Sequence, residues 1–200
     1  MPAPLLLIAC AALARELTSL QRRNRWSHLR IQCLPAELHN TPARIPGAVA
    51  RTIERYRDRY RQIFVAYADC GTSGALDAVL GDYGVERLPG AHCYEVLSGA
   101  SVFAGLSDSE PGSFYLTDFL VRHFERLVRI GLGLDRNPEL MPQYFGNYRR
   151  VVYLAQTRSA ELSAQARAHA QYLGLDYVEQ PTGLLPLDRA LREQVVRWPN

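Results

Sequence analysis

The sequence predicts an α/β fold, specifically a Rossmann-like layered fold with a mostly parallel central sheet flanked by helices. Short apolar runs alternate with segments of helical periodicity, which is typical of parallel strands joined by crossover helices. The clearest pairs are the run at residues 4–10 before the helix at 11–23, and the run at 62–67 before the helix at 75–83. With 200 residues, 48% of them hydrophobic, the chain can bury a sizeable core.

The first half of the chain contains four strand–helix pairs. Continuous apolar runs bounded by polar or turn-forming residues predict buried strands, and apolar residues every three or four positions predict helices. We therefore predict strands at residues 4–10, 29–34, 62–67 and 85–88, and helices at residues 11–23, 47–60, 75–83 and 94–106.

The second half continues with the same two patterns. A long amphipathic segment predicts a helix at residues 114–130, and it is followed by strands at 149–155 and 176–179 and helices at 159–173 and 187–197. Polar stretches with glycine and proline predict loops around these elements. We predict a single domain over residues 1–200, and the alternative is a two-halved organisation that divides near residues 107–113.

Composition narrows the classes of function. The formal net charge is +3, and all 23 basic residues are arginines, so lysine-dependent Schiff-base and P-loop chemistry is excluded. This charge excess is too small to indicate a nucleic-acid partner. The apolar run at residues 2–13 is shorter than the roughly 20 residues of a membrane span and lacks a basic start. We therefore expect no membrane partner and a cytoplasmic location, where thiols stay reduced.

Three cysteines and a histidine follow predicted strand ends. Cys10 closes the first strand, Cys70 follows the third, and His92 and Cys93 follow the fourth. The carboxyl ends of parallel strands meet at one edge of a sheet, where ligands bind in open α/β folds. Thiolate and imidazole are ligands of zinc and other soft metals. The sequence therefore predicts a zinc-like metal site formed by these four residues or a subset of them.

Core packing is the alternative for each cysteine, because free cysteine often behaves as a small buried hydrophobe. Cys33 lies one residue before the predicted end of the second strand, and His39 lies in a loop near the same sheet edge. His123 falls within the predicted helix at residues 114–130. The sequence leaves the roles of these three residues open.

The segment between the third strand and its helix combines a cysteine with flexible backbone. Gly71, Thr72 and Gly74 precede the helix, whose N-terminus favours anions, and they are candidate cofactor-binding residues. The same position lowers the pKa of a thiol, which makes Cys70 the candidate nucleophile. The alternative is an ordinary strand-to-helix turn with Thr72 or Ser73 as the helix cap.

Two carboxylates and one aromatic segment complete the candidate residues. Asp69 and Glu95 stand beside the predicted ligands and could orient them. Asn147 and Tyr148 offer polar groups within an aromatic stretch that could line a cofactor. The alternatives are surface carboxylates and ordinary aromatic core packing.

Five motifs in a fixed order give the chain a family resemblance. Residues 8–16, 67–72, 92–95, 112–119 and 144–148 read IACAALARE, YADCGT, HCYE, GSFYLTDF and YFGNY. Together they resemble the DUF1638 family of uncharacterised bacterial and archaeal proteins. Members of that family accompany corrinoid proteins and corrinoid-dependent methyltransferases, so the resemblance implies a role in one-carbon metabolism, with a corrinoid carried by a partner protein.

Three functional hypotheses follow. The first is a zinc-like thiolate site that acts in corrinoid-linked methyl transfer, with a small-molecule thiol as partner. The second is an accessory protein that binds a metal or cofactor for a corrinoid-dependent methyltransferase without turnover. The third is a metal-free module that binds an anionic small molecule at the turn over residues 69–74.

Overall fold

A computed structural model describes residues 5–195 of the chain. These residues form two compact units. One unit contains the described residues up to Val96 together with those from Leu187 onward, and the other contains Leu97–Pro186. The segment at residues 107–113, where the sequence predicted the alternative division into halves, lies inside the second unit.

The first unit is built on a four-stranded sheet in the order β2-β1-β3-β4, with all pairs parallel. Its strands are β1 (Leu5–Cys10), β2 (Leu29–Leu34), β3 (Gln62–Ala66) and β4 (Glu86–Arg87). The helices are α1 (Ala14–Arg23), α2 (Ile45–Tyr56), α3 (Ala75–Tyr83), α4 (Cys93–Ser98), which ends across the unit boundary, and most of α9 (Leu185–Val195).

The central strand β1 is completely buried, as expected of an apolar strand in a parallel sheet. Its six residues pair with β2 on one side, and its first five pair with β3 on the other. Helix α1 presents Leu17 and Leu20 to the interior and its arginines to the solvent. The amphipathic spacing of the sequence therefore fixes which face of this helix covers the sheet.

The second unit contains a three-stranded parallel sheet in the order β5-β6-β7. Its strands are β5 (Ser113–Thr117), β6 (Arg150–Ala155) and β7 (Asp176–Pro181). Its helices are α5 (Ala100–Ser109), α6 (Asp118–Arg122), α7 (Met141–Phe145) and α8 (Ala160–Leu173), and Glu125–Ile130 forms a π-helical segment. The predicted α/β class with parallel pairing is confirmed, although the strands form two sheets and not one central sheet.

The predicted helix at residues 114–130 is wrong in its first part. Residues Ser113–Thr117 form β5, which is buried along most of its length, and the helical segments begin only at Asp118. The Thr117 hydroxyl accepts a hydrogen bond from the Leu120 N–H and so caps α6. A short apolar run shows no periodicity that distinguishes a buried strand from a buried helix. The sequence therefore predicts one continuous helix where the structure has a strand followed by helical segments.

The predicted helix at residues 94–106 is divided in two. Helix α4 ends at Ser98 and α5 begins at Ala100, because Gly99 between them adopts φ of +87°. Residues with a Cβ atom rarely adopt this backbone conformation, which cannot continue a right-handed helix. Helix α5 then extends to Ser109, beyond residue 106, where the sequence predicted the helix to end.

The remaining predicted elements agree with the structure to within a few residues at each end. The strand predicted from residue 4 begins at Leu5, and the part of the last helix beyond residue 195 lies outside the described residues. Helix α8, with 14 residues, is the longest among those described. Across residues 5–195, no helix has both the length and the apolar composition that crossing a bilayer would require.

A buried polar network joins two strand ends in the second unit. Asp118 is 1% exposed, and its Oδ1 accepts hydrogen bonds from the Tyr153 hydroxyl at 2.7 Å and from the Gln156 N–H at 3.0 Å. The Gln156 side-chain oxygen in turn accepts a hydrogen bond from the Asp118 N–H at 2.9 Å. These reciprocal bonds fix the carboxyl end of β5 against that of β6.

Tyr153→Phe tests this network. Removing the hydroxyl deletes one hydrogen bond to a buried carboxyl group, so we expect the free energy of unfolding to fall by about 1–3 kcal/mol. Chemical denaturation measured by circular dichroism reports this change. Tyr144→Phe is the control, because Tyr144 is 45% exposed and a surface substitution changes stability by less than about 0.5 kcal/mol. Equal stability of both variants and the wild type would contradict the assigned role of the network.

Candidate metal centre

The carboxyl edge of the first sheet gathers one sulfur or imidazole group after each strand. Cys10 is the last residue of β1, and His39 lies in the 3-10 segment Ala36–Asn40 that follows β2. Cys70 follows β3 by four residues, and Cys93 begins α4 after β4. Parallel pairing directs all four strand ends to this edge, so residues distant in sequence become neighbours.

Three of these groups lie close enough to share one metal ion. The ligand atoms of His39, Cys70 and Cys93 all lie within 4.8 Å of one another. The Cys70 and Cys93 Sγ atoms are 3.0 Å apart. Cys10 lies at the margin of this group, with its Sγ atom 3.4 Å from His39 Nδ1 and accepting a hydrogen bond from the Ala12 N–H at 3.3 Å.

The close contacts raise the pKa values of both Cys70 and His39. The hydrogen-bonding contact with Cys93, followed by burial, raises the pKa of the Cys70 thiol, while His39 acts in the opposite direction. Burial lowers the pKa of His39, but its hydrogen bonds with Cys10 and Cys70 and their negative charges raise it to about 10. The Cys70 thiol therefore favours its neutral form, opposite to the lowered pKa expected at the start of a helix, and the imidazole favours its positive form. A divalent metal ion would displace both protons.

The loop that carries Cys70 is folded around the carboxylate of Asp69. That carboxylate accepts hydrogen bonds from the Thr72 hydroxyl at 2.8 Å, the Ser73 N–H at 3.0 Å and the Gly74 N–H at 2.8 Å. The bonds from Gly74 and Thr72 contribute most to lowering the pKa of Asp69 to about 2. Asp69 therefore shapes the turn and leaves ligation to the cysteine that follows it.

A second turn supports Cys93. Glu95 accepts a hydrogen bond from the Ala91 N–H at 3.0 Å, and a Cβ atom at Gly90 would lie 2.7 Å from the Glu95 carboxylate. Gly90 also has φ of +99°, a backbone conformation that favours glycine. The Cys70 N–H donates to the Ala91 carbonyl at 2.8 Å and ties the two cysteine-bearing turns together.

The other predicted site residues are not among the three clustered ligands. His92 is exposed, with its ring centroid 6.3 Å from that of Tyr94. Cys33 pairs with Ala9 in the sheet register and is not among the three clustered ligands. His123, whose role the sequence left open, packs against Phe119 in the second unit.

The predicted cofactor-binding residues divide between two places. Thr72 is buried and Gly74 directly precedes α3, and both donate hydrogen bonds to Asp69. Gly71 is exposed, with φ of +82°. Asn147 and Tyr148 belong to the second unit. Tyr148 packs its ring against Phe114 and Phe145, as in the aromatic-core alternative, and Asn147 is exposed.

Tyr67 is a site residue that sequence reasoning did not identify. Its side chain is completely buried, and its ring stacks on His39 with centroids 6.1 Å apart. Burial, then the charge of Cys10 and the contact of the hydroxyl with the Cys10 sulfur, raise the pKa of the Tyr67 hydroxyl, with smaller contributions from Cys93 and Cys70. The hydroxyl makes no hydrogen bond of acceptable geometry with any residue that the structure describes.

The positions of His39 and Tyr67 relative to the strands could have identified both as site residues. His39 follows β2 by five residues, so the strand-end argument that selected Cys70 also includes it. Tyr67 directly follows β3, and a polar aromatic residue at the end of an apolar strand needs a partner for its hydroxyl when buried.

The Cys70–Cys93 contact predicts a specific disulfide. We expect mild oxidation by oxidised glutathione to join these two sulfurs, because thiols already in contact need little movement to bond, with the two hydrogens passing to two molecules of reduced glutathione. Peptide mapping by mass spectrometry after alkylation of free thiols identifies the linked pair. Cys70→Ser and Cys93→Ser should each abolish it, whereas Cys33→Ser should not. A dominant disulfide through Cys33 would contradict the observed arrangement.

Comparison with known proteins assigns the family. A family model described as "Protein of unknown function (DUF1638)" matches residues 33–191, a segment that includes His39, Cys70 and Cys93. Neither the curated proteins nor the solved structures contain a match to the chain. The match covers well over half of the 200 residues and includes four of the five motifs, since the motif at residues 8–16 precedes the matched segment. The chain therefore belongs to the DUF1638 family.

Proposed function

We propose that this protein binds a zinc-like metal ion through His39, Cys70 and Cys93 and uses it to activate a small-molecule thiol in corrinoid-linked methyl transfer. The observation that carries the proposal is the convergence of three ligand atoms within 4.8 Å, contributed by three separate segments at one sheet edge. In parallel α/β folds, small molecules and cofactors bind at this edge of the sheet.

The donor set favours zinc or another soft metal over magnesium or calcium. Two thiolates and one imidazole are the ligand types that zinc prefers, and two thiolate charges balance a divalent ion. The three clustered residues offer no oxygen ligand. The nearby carboxylates of Asp69 and Glu95 accept hydrogen bonds from backbone N–H groups of their own turns. Hard cations require such oxygen ligands.

Three protein ligands leave one tetrahedral position for a small molecule, as in catalytic zinc sites. Cys10 supports this arrangement, because its contact with His39 Nδ1 leaves Nε2 as the imidazole nitrogen for the metal. His39 and Cys93 are only half-buried, so the group reaches the protein surface. These features support an open site in preference to a closed structural one.

A metal ion in this site would lower the pKa of a bound thiol and hold it as thiolate, which is the nucleophilic form. The methyl donor in this proposal is a corrinoid carried by a partner protein, as the family resemblance implies. The thiolate sulfur would form a bond to the methyl carbon, and the electron pair of the broken carbon–cobalt bond would remain on cobalt.

Metal content is the first test of the proposal. Protein purified without chelators and without affinity metal should contain about one zinc per chain by elemental analysis. Cys70→Ser, Cys93→Ser and His39→Ala should each reduce the zinc affinity at least roughly tenfold, because each removes a ligand.

Two variants serve as matched controls for the metal measurement. His92→Ala removes an exposed histidine adjacent to a ligand, and Cys33→Ser removes a cysteine outside the cluster. Both should retain the wild-type zinc content. Loss of zinc in His92→Ala but not in His39→Ala would overturn the ligand set proposed here. Wild-type protein without affinity for zinc would overturn the metal site, and the metal-free binding of an anionic small molecule would then be the remaining hypothesis.

Methyl transfer is the second test. Zinc-loaded protein mixed with methylcobalamin and 2-mercaptoethanol should form the S-methyl thioether, detected by mass spectrometry, while the cobalamin absorbance reports loss of the methyl group. Cys93→Ser and the chelator-treated protein should lose this activity, because both lack the metal that holds the thiolate.

The outcome separates an enzyme from an accessory protein. A zinc-loaded protein that accelerates no methyl transfer, either alone or with a corrinoid methyltransferase supplied, would contradict the catalytic form of the proposal. Zinc binding without turnover favours the accessory role, in which the site delivers or senses the metal.

A further inference from the structure

We propose that Tyr67 is a positioning residue of this site, whose hydroxyl donates a hydrogen bond to an anionic fourth ligand of the metal. The inference rests on the proposed metal site and goes further, because it identifies the class of ligand that the open position selects. That class is a thiolate, whose negative charge accepts a strong hydrogen bond, in preference to a neutral thioether.

The first observation is the unpaired hydroxyl. Tyr67 is completely buried, and its hydroxyl has no hydrogen-bond partner among the described residues. The other completely buried tyrosine, Tyr153, donates its hydroxyl to Asp118 at 2.7 Å. Buried hydroxyl groups are almost always paired, so an unpaired one indicates a partner that arrives with a ligand.

The second observation is the position of the ring. Tyr67 directly follows β3 and stacks on His39, one of the three clustered ligands. The sulfurs of Cys10, Cys93 and Cys70 all act electrostatically on its hydroxyl. The unpaired donor therefore lies among the groups that would surround the metal.

Cys10 does not satisfy this donor. Its sulfur accepts the Ala12 N–H and contacts His39 Nδ1. It also lies beside the Tyr67 hydroxyl and raises the pKa of that group, but the two groups do not meet at the angles of a hydrogen bond. The acceptor that completes the arrangement is a ligand held at the metal.

Charge balance indicates which class of fourth ligand a hydrogen bond from Tyr67 would stabilise most. Two cysteine thiolates neutralise a divalent ion, so an anionic fourth ligand brings an uncompensated negative charge into a partly buried site. A hydrogen bond from Tyr67 would stabilise that charge. A neutral thioether, which is the product of methyl transfer, gains much less, so the hydroxyl favours binding of the thiol substrate over its methylated product.

Tyr67→Phe in cobalt-loaded protein tests the inference. Titration with 2-mercaptoethanol, followed by the sulfur-to-cobalt charge-transfer absorbance, should show roughly 10- to 100-fold weaker thiol binding than in the wild type, because one hydrogen bond to a charged group is lost. The affinity for 2-(methylthio)ethanol, a thioether, should change by less than about threefold. Cobalt stoichiometry should be unchanged in Tyr67→Phe.

Tyr153→Phe is the matched control, because it removes a buried tyrosine hydroxyl in the second unit. It should leave the thiol affinity of the cobalt protein unchanged. Thermal unfolding of the metal-free proteins adds an independent measurement. Tyr67→Phe should raise the Tm by about 2–6 °C, because it removes an unpaired buried hydroxyl, whereas Tyr153→Phe should lower it.

The outcomes separate failure of this inference from failure of the proposed function. Wild-type protein that binds no cobalt or zinc overturns the metal site and the inference with it. Protein that binds cobalt but shows equal thiol affinity in the wild type and Tyr67→Phe overturns only the role of Tyr67. A lower Tm of metal-free Tyr67→Phe would reveal a partner for the hydroxyl within the protein and would also overturn it.

Discussion

Parallel register in the first sheet is the constraint on which the candidate metal centre depends. Cys10 pairs with Leu34 at the end of β2, and Ala9 pairs with Ala66 at the end of β3, so the three strands stop at nearly the same level. The segments that follow these strands must turn at one edge of the sheet. A shift of one strand by a single residue would direct its last side chain to the opposite face.

The turn at Cys70 adds a local cost to this arrangement. Cys70 and Ser73 adopt φ of +51° and +53°, which costs about 1–2 kcal/mol for each residue with a Cβ. The three hydrogen bonds accepted by Asp69 offset this cost, since a bond to a charged acceptor contributes about 1.5–3 kcal/mol. Strained backbone held by surrounding contacts is typical of functional sites, and here it brings the Cys70 sulfur to 3.0 Å from Cys93.

The sequence could predict which strand ends lie together, but not the direction of side chains beyond them. Periodicity identifies buried strands, and parallel pairing then groups the residues after them, which is how Cys70 and Cys93 could be selected. His92 and Cys93 are neighbours, and α4 begins at Cys93, so the cysteine turns inward and the histidine outward. The short 3-10 segment after β2 brings His39 into the group, and no repeating pattern in the sequence specifies its path.

Charge explains why a dithiol group of this kind needs a cation. Thiolates at the buried Cys70 and the half-buried Cys93, with sulfurs 3.0 Å apart, would repel each other strongly, and the contact with Cys93 is the first cause of the raised pKa of Cys70. A proton held between the sulfurs or a positive His39 relieves the repulsion only in part, because each supplies one charge. A divalent metal supplies two charges at once and releases the protons that the thiols and the imidazole hold in its absence. The same balance makes a further anionic ligand costly without a hydrogen-bond donor, and Tyr67 is the unpaired donor at this position.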